Sequence, residues 1–154
     1  MNISGGRFLL TGGNGLIGLN IADELLKKGA AKVVLFDNMV STRRPLRPTN
    51  VSAKGTILRL NQLLEATKDV DGIFHLAAYL TFPLSGDPND GIDVSVTGCR
   101  NVLDAARWYG VRKVTFSSSI AVCGDGNSMT TETAPSKAGD LAFRDHRRCD
   151  KDHR

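Results

Sequence analysis

The chain has 154 residues, 41% of them apolar and 23% charged, with a formal net charge of +4. That size and balance describe one globular domain able to bury its own core, and they exclude a disordered or fibrous chain. No apolar run is long enough to span a bilayer, so no membrane partner is expected. The N-terminal MNISGGRFLLTGG lacks the basic-then-apolar order of a secretory signal, so a cytoplasmic protein is expected.

Residues 7–12, RFLLTG, form a short apolar run ending in glycine, as a buried strand does. From Leu16 to Lys28 apolar residues recur at helical spacing (Ile17, Ile21, Leu25), and Gly29 stops the helix. KVVLFDN, 32–38, reads as a second strand. Residues 39–55, with two prolines and many polar side chains, read as a loop where a crossover helix would normally sit. TILRL, 56–60, is the expected third strand and NQLLEATKDV the helix after it. GIFHLAA, 72–78, is a fourth strand, a long helix is expected from about Asp90 to Tyr109, and KVTFSSS, 113–119, is a fifth strand. Strands and helices alternate, and the strands are continuous apolar runs. The expected fold is therefore α/β, a Rossmann-type doubly wound parallel sheet of about five strands.

After Pro135 the pattern dissolves. The last twelve residues, FRDHRRCDKDHR, carry five Lys/Arg against three Asp, which is half of the net charge. The domain is thus expected over residues 1–136, with 137–154 a charged, disordered tail. A basic excess gathered in a tail, with no aromatics interleaved, argues against a nucleic-acid partner. Cys99, Cys123 and Cys149 have no metal-site spacing, and reduced thiols with no metal are expected.

TGGNGLIG, 11–18, joins the first strand to the first helix. Gly13, Gly15 and Gly18 fit G-x-G-x-x-G, and Gly12, Gly15 and Gly18 fit G-x-x-G-x-x-G. Glycine is needed there so that the chain turns sharply, the backbone approaches a pyrophosphate, and the helix packs closely on the strand. The free N–H groups of the first helical turn then face the phosphates. Asp37 closes the second strand 19 residues past Gly18, where a carboxylate can accept hydrogen bonds from ribose hydroxyls. A carboxylate repels a 2′-phosphate, so NAD is expected over NADP, although Arg43, Arg44 and Arg47 follow in the next loop.

TGGNGLIG, FDN at 36–38, HLAA at 75–78, GCRNVLDAAR at 98–107 and SSSIAVCG at 117–124 follow in order. Together they resemble the extended short-chain dehydrogenase/reductases, specifically the NAD-dependent epimerase/dehydratase family, over about residues 5–134. The resemblance implies that Gly12, Gly15, Leu16, Ile17 and Gly18 hold the pyrophosphate and that Asp37 and Asn38 contact ribose and adenine. It also implies that Leu76, Ala77 and Ala78 line the cofactor and that Ser119 is the catalytic hydroxyl. The implied activity is that of an oxidoreductase or isomerase acting on a nucleotide sugar or a related hydroxy/keto substrate. Three positions depart from the family's pattern: Gly55-Thr56 in place of Gly-Asp, Ser95-Val96-Thr97-Gly98-Cys99 in place of Asn-Val-x-Gly-Thr, and Cys123 in place of Tyr.

In that family a Tyr-x-x-x-Lys after the serine moves the proton and tunes its acidity. Here Tyr79 and Tyr109 both precede Ser119, and LAFRDHRR stands where the pair belongs. Tyr109 to Lys113 spells the motif, but Gly110 ends the helix between them and Lys113 begins a strand, so they share no face. His146 and His153 lie in the charged tail, and His75 reads as a satisfied residue at a strand end. The change near residue 135 therefore reads as a truncation or frame shift, with the substrate region absent and the fragment inactive. Alternatives are a non-catalytic dinucleotide-binding or interaction module, a 3-beta-hydroxysteroid dehydrogenase-like fragment, or an unstable piece without function. An uncovered apolar face would favour a homo-oligomer.

Overall fold

A computed structural model describes residues 2–39, 50–79 and 88–118. The strands are β1 (Arg7–Thr11), β2 (Lys32–Asp37), β3 (Asn50–Lys54), β4 (Gly72–His75) and β5 (Lys113–Phe116). The helices are α1 (Leu16–Lys27), α2 (Leu60–Thr67), α3 (Pro88–Ile92) and α4 (Cys99–Trp108). All belong to one compact unit, Met1–Ser117.

The sheet is parallel throughout, in the order β3-β2-β1-β4-β5. β1 and β2 are buried on both faces because the side chains on each face meet a different core. Phe8, Leu10, Val33 and Leu35 pack with Ala22 and Leu25 of α1. Leu9, Val34 and Phe36 pack on the other face, with Leu63 of α2 and Val102 and Ala105 of α4. Strand order reverses between β1 and β4, so the loops leaving those two strands diverge and open a crevice at the carboxyl edge. At the opposite edge Asp71 joins the entries of β1 and β5. It accepts the Arg7 N–H at 2.8 Å and pairs with the Arg112 guanidinium at 3.0 Å.

Four details differ from the sequence reading. The third strand is Asn50–Lys54, inside the stretch expected to be loop, and 56–59 is the turn that enters α2 at Leu60. Leu58 N–H donates to Thr56 Oγ1 at 3.3 Å and Arg59 N–H to the Thr56 carbonyl at 3.1 Å. Ile57 is buried in the core beneath that turn, so its apolar character reports packing and not strand.

The helix over 90–109 is composite, a π-helical segment from Asp93 to Gly98 separating α3 from α4. Three of its residues, Val94, Val96 and Thr97, are β-branched and crowd a standard helical turn, which favours the wider winding. Strands four and five are also shorter than expected, ending at His75 and Phe116. β5 is not buried on both faces as a doubly covered strand would be: Phe116 is 61% exposed. The strand pairs with β4, and only Val114 of its four residues packs against the core shared with α4.

Candidate functional site

The carboxyl edge collects the chemistry. β1 ends at Thr11, and the chain turns through Gly12 to Gly15 into α1. Gly12 has φ +68, and a Cβ placed on it would lie 2.8 Å from the Ala77 nitrogen, so only glycine lets the loop pass the 76–78 backbone. A Cβ on Gly18 would meet the Gly13 carbonyl oxygen at 2.6 Å, so its absence seats the first turn of α1 directly on the loop. Gly15 caps α1 without any side-chain hydrogen bond, and no acidic residue lies in the first turn. The N–H groups of Leu16, Ile17 and Gly18 therefore have no intrahelical acceptor and face outward with the positive end of the helix. Leu16 and Ile17 are themselves exposed.

The end of β2 meets the same loop. The Phe36 carbonyl accepts the Gly12 and Gly13 N–H groups at 2.9 and 3.3 Å. One Asp37 carboxylate oxygen accepts the Asn14 N–H at 3.0 Å, and the other accepts the Met39 N–H at 3.0 Å. The Asn14 side-chain amide in turn donates to the Met39 carbonyl. Asn38 is exposed at that turn. Sequence reasoning missed Asn14. The available signal was an amide-bearing residue between two glycines, free to bond a neighbouring backbone.

The end of β4 forms the other wall. Leu76 N–H donates to the Thr11 carbonyl at 3.0 Å and Ala77 N–H to Thr11 Oγ1 at 3.4 Å. Thr11 Oγ1 lies 2.7 Å from His75 Nδ1, and both residues are buried. That one hydroxyl bonds both the His75 ring and the Ala77 main chain. His75 is thus a satisfied, neutral strand-end residue, as the sequence suggested.

Burial pushes the His75 pKa below its ordinary 6.5. The unfolded chain then binds a proton that the folded chain resists. Stability is full above about pH 6.5 and is lost as pH falls from there toward the lowered folded value. Urea midpoints at pH 8, 6.5 and 5 are expected to fall on acidification. The contribution from this one proton is no steeper than about 1.4 kcal/mol per pH unit, and His75→Gln flattens it.

The structure thus brings together Gly12, Gly15, Leu16, Ile17, Gly18, Asp37, Asn38, Leu76, Ala77 and Ala78 at one edge. Ser119 lies outside the described residues, as do Arg43, Arg44, Arg47, Cys123 and Cys149. Ser117 N–H donates to the His75 carbonyl at 3.2 Å, so the serine row opens beside β4. Tyr109 follows α4, Gly110 has φ +62, and Lys113 begins β5, which separates the two ends of the apparent Tyr-x-x-x-Lys. Cys99 is a free thiol. Among the described residues no group of three or more His, Cys, Asp or Glu could hold a metal ion. No described helix is long and apolar enough to cross a membrane.

The unpartnered N–H groups of the first turn of α1, beside a carboxylate held at the end of β2, form an arrangement that can hold a phosphate and a diol at once. Residues 8–141 match the model of the NAD dependent epimerase/dehydratase family. The chain is 29% identical over 135 residues to the UDP-glucose 4-epimerase of Streptococcus mutans, covering 84% of this chain and 40% of that protein. It is 32% identical over 137 residues to the UDP-N-acetyl-alpha-D-glucosaminuronate decarboxylase of Bacillus cytotoxicus, covering 82% of this chain and 40% of that one. The solved UDP-glucose 4-epimerase of Thermus thermophilus, in complex with NAD, superposes with a TM-score of 0.71 at 27% identity, covering 93% of this chain and 50% of the other. The chain spans about two fifths of the curated relatives it matches, and it belongs to the NAD dependent epimerase/dehydratase family.

Proposed function

We propose that this chain is the NAD-binding part of an epimerase/dehydratase-type enzyme acting on a nucleotide sugar or a related hydroxy/keto compound. The observation that carries the reading is the convergence of the Gly12–Gly18 loop with the Asp37 carboxylate. The residues present fit a dinucleotide. The loop passes where a Cβ at position 12 would collide with backbone, and α1 opens with no side-chain cap or acid to compete with a phosphate. Gly12, Gly15, Leu16, Ile17 and Gly18 would hold the pyrophosphate, Asp37 and Asn38 the adenosine, and the 76–78 backbone the side beyond. Exposed Leu16 and Ile17 suit contact with a ligand. The nicotinamide supplies hydride acceptance and return. The chain's own task is to bind and orient it, and Ser119, at the end of the serine row, would polarise a substrate oxygen.

No tyrosine follows Ser119 in the 154 residues, so this chain alone lacks the usual proton carrier. Residues 1–136 form the binding part on this reading and 137–154 a charged tail, and the chain alone gives no turnover. Robust cofactor-dependent conversion of a UDP-sugar by the purified chain would overturn that point while leaving cofactor binding intact.

Calorimetric titration with NAD and NADP tests the binding. NAD is expected to bind more tightly and to raise the melting temperature. Asp37→Ala is expected to weaken NAD by about tenfold or more, as loss of a charge-assisted hydrogen bond would, and to narrow the gap to NADP. Tighter NADP binding by the unaltered chain would count against the assignment of Asp37.

A further inference from the structure

We infer that Asn14 is a positioning residue that sets discrimination against a 2′-phosphate without touching the cofactor. This rests on the dinucleotide reading above. Asp37 can reject a phosphate only if its carboxylate stays put, since an unheld side chain on an exposed turn swings away for little cost. The structure holds it from both sides. Asn14 N–H takes one oxygen and Met39 N–H the other, each at 3.0 Å. Neither donor is fixed by regular secondary structure, because Asn14 lies in the loop before α1 and Met39 lies beyond the end of β2.

The Asn14 side-chain amide closes the assembly by donating to the Met39 carbonyl. One residue thus supplies one clamp by its main chain and secures the other by its side chain. The three bonds also tie the phosphate loop to the segment that enters the adenosine side. Loss of the amide releases the Met39 peptide and leaves the carboxylate held on one oxygen only. A half-held carboxylate turns aside from a 2′-phosphate while still accepting a ribose hydroxyl from the other. The consequence is therefore a change in selectivity and not merely in affinity.

The test compares dissociation constants for NAD and NADP in the unaltered chain, Asn14→Ala, Asp37→Ala and the double variant. Asn14→Ser, whose hydroxyl is too short to reach the carbonyl, serves as a second variant should alanine fold poorly. Melting curves establish folding in each. The expected result is a preference for NAD that drops about tenfold in Asn14→Ala, the scale of one charge-assisted hydrogen bond. In the Asp37→Ala background the same substitution is expected to leave the ratio unchanged, because the residue through which Asn14 acts is gone. Parallel weakening of both dinucleotides, with the ratio preserved, would overturn the inference, as would an equal shift in the Asp37→Ala background. Failure of the unaltered chain to bind either dinucleotide would overturn the binding reading itself, and this inference with it.

Discussion

Replacing Gly12 by valine is expected to abolish dinucleotide binding and to lower folding stability by about 3 kcal/mol or more. Two independent penalties act at this position. The backbone sits at φ +68, a region that costs a β-branched L-residue strain of order 1–3 kcal/mol. The added Cβ would also lie 2.8 Å from Ala77 N and 3.0 Å from both Ala77 Cα and the Leu76 carbonyl carbon. Those neighbours are main-chain atoms in a segment bonded to Thr11, so they cannot rotate aside as a side chain would. Relief requires the loop to move off β4, which turns the N–H groups of the first α1 turn away from the ligand. Urea denaturation reads the first effect and NAD titration the second. Gly12→Ala is expected to show both in milder form. Unchanged stability in the valine variant would mean that the 12–15 loop does not pass against the 76–77 backbone.

Phe36→Ala is expected to cost about 3–5 kcal/mol, the range for emptying a buried phenylalanine site. Phe36 is 2% exposed, and its ring covers Gly55 so closely that a Cβ there would be 2.5 Å from the ring edge. The same residue's carbonyl receives the Gly12 and Gly13 N–H groups. A cavity at this ring therefore loosens the strand end from which the phosphate loop hangs, and NAD affinity falls along with stability. Set against a typical total of about 5–15 kcal/mol, that loss leaves a visibly shifted urea midpoint and sometimes an incompletely folded chain. Phe36→Leu keeps most of the apolar volume and is expected to cost about 1.5 kcal/mol or less. A leucine variant as damaged as the alanine one would point to ring-specific contacts with Gly55 and not to cavity formation.

The central strands could be read from the chain because burial on both faces makes their interiors, Phe8 to Leu10 and Val33 to Phe36, continuous apolar runs. RFLLT and KVVLF have no other explanation at that length. β3 escaped because it lies at the sheet's edge, and Val51 there is 45% exposed. An edge strand tolerates Asn, Ser and Lys, so NVSAK carries the composition of a loop. The neighbouring TILRL misled in the opposite sense, since Ile57 is apolar for the sake of the core while Thr56 builds a turn. At the site, the glycines and Asp37 were visible because they stand at a fixed local spacing between one strand, one helix and the end of the next strand. Asn14 and Thr11 were not, since their work is to bond partners 25 and 64 positions away, and no local pattern records such a pairing.

Strand order also governs when the loop can exist. β1 is made before the other four described strands, yet it lies at the centre of the sheet, flanked by β2 and by a strand that begins only at Gly72. Thr11 finds His75 across 64 residues of sequence, and the wall against Gly12 is the backbone of Ala77. As the chain leaves the ribosome, the glycine loop is therefore present long before its second wall. Until residue 77 is made, the loop can meet only the end of β2, through Phe36 and Asp37, and lacks its wall on the β4 side. On the proposed reading, the complete binding edge is assembled only when β4 docks, a contact between segments more than 60 residues apart.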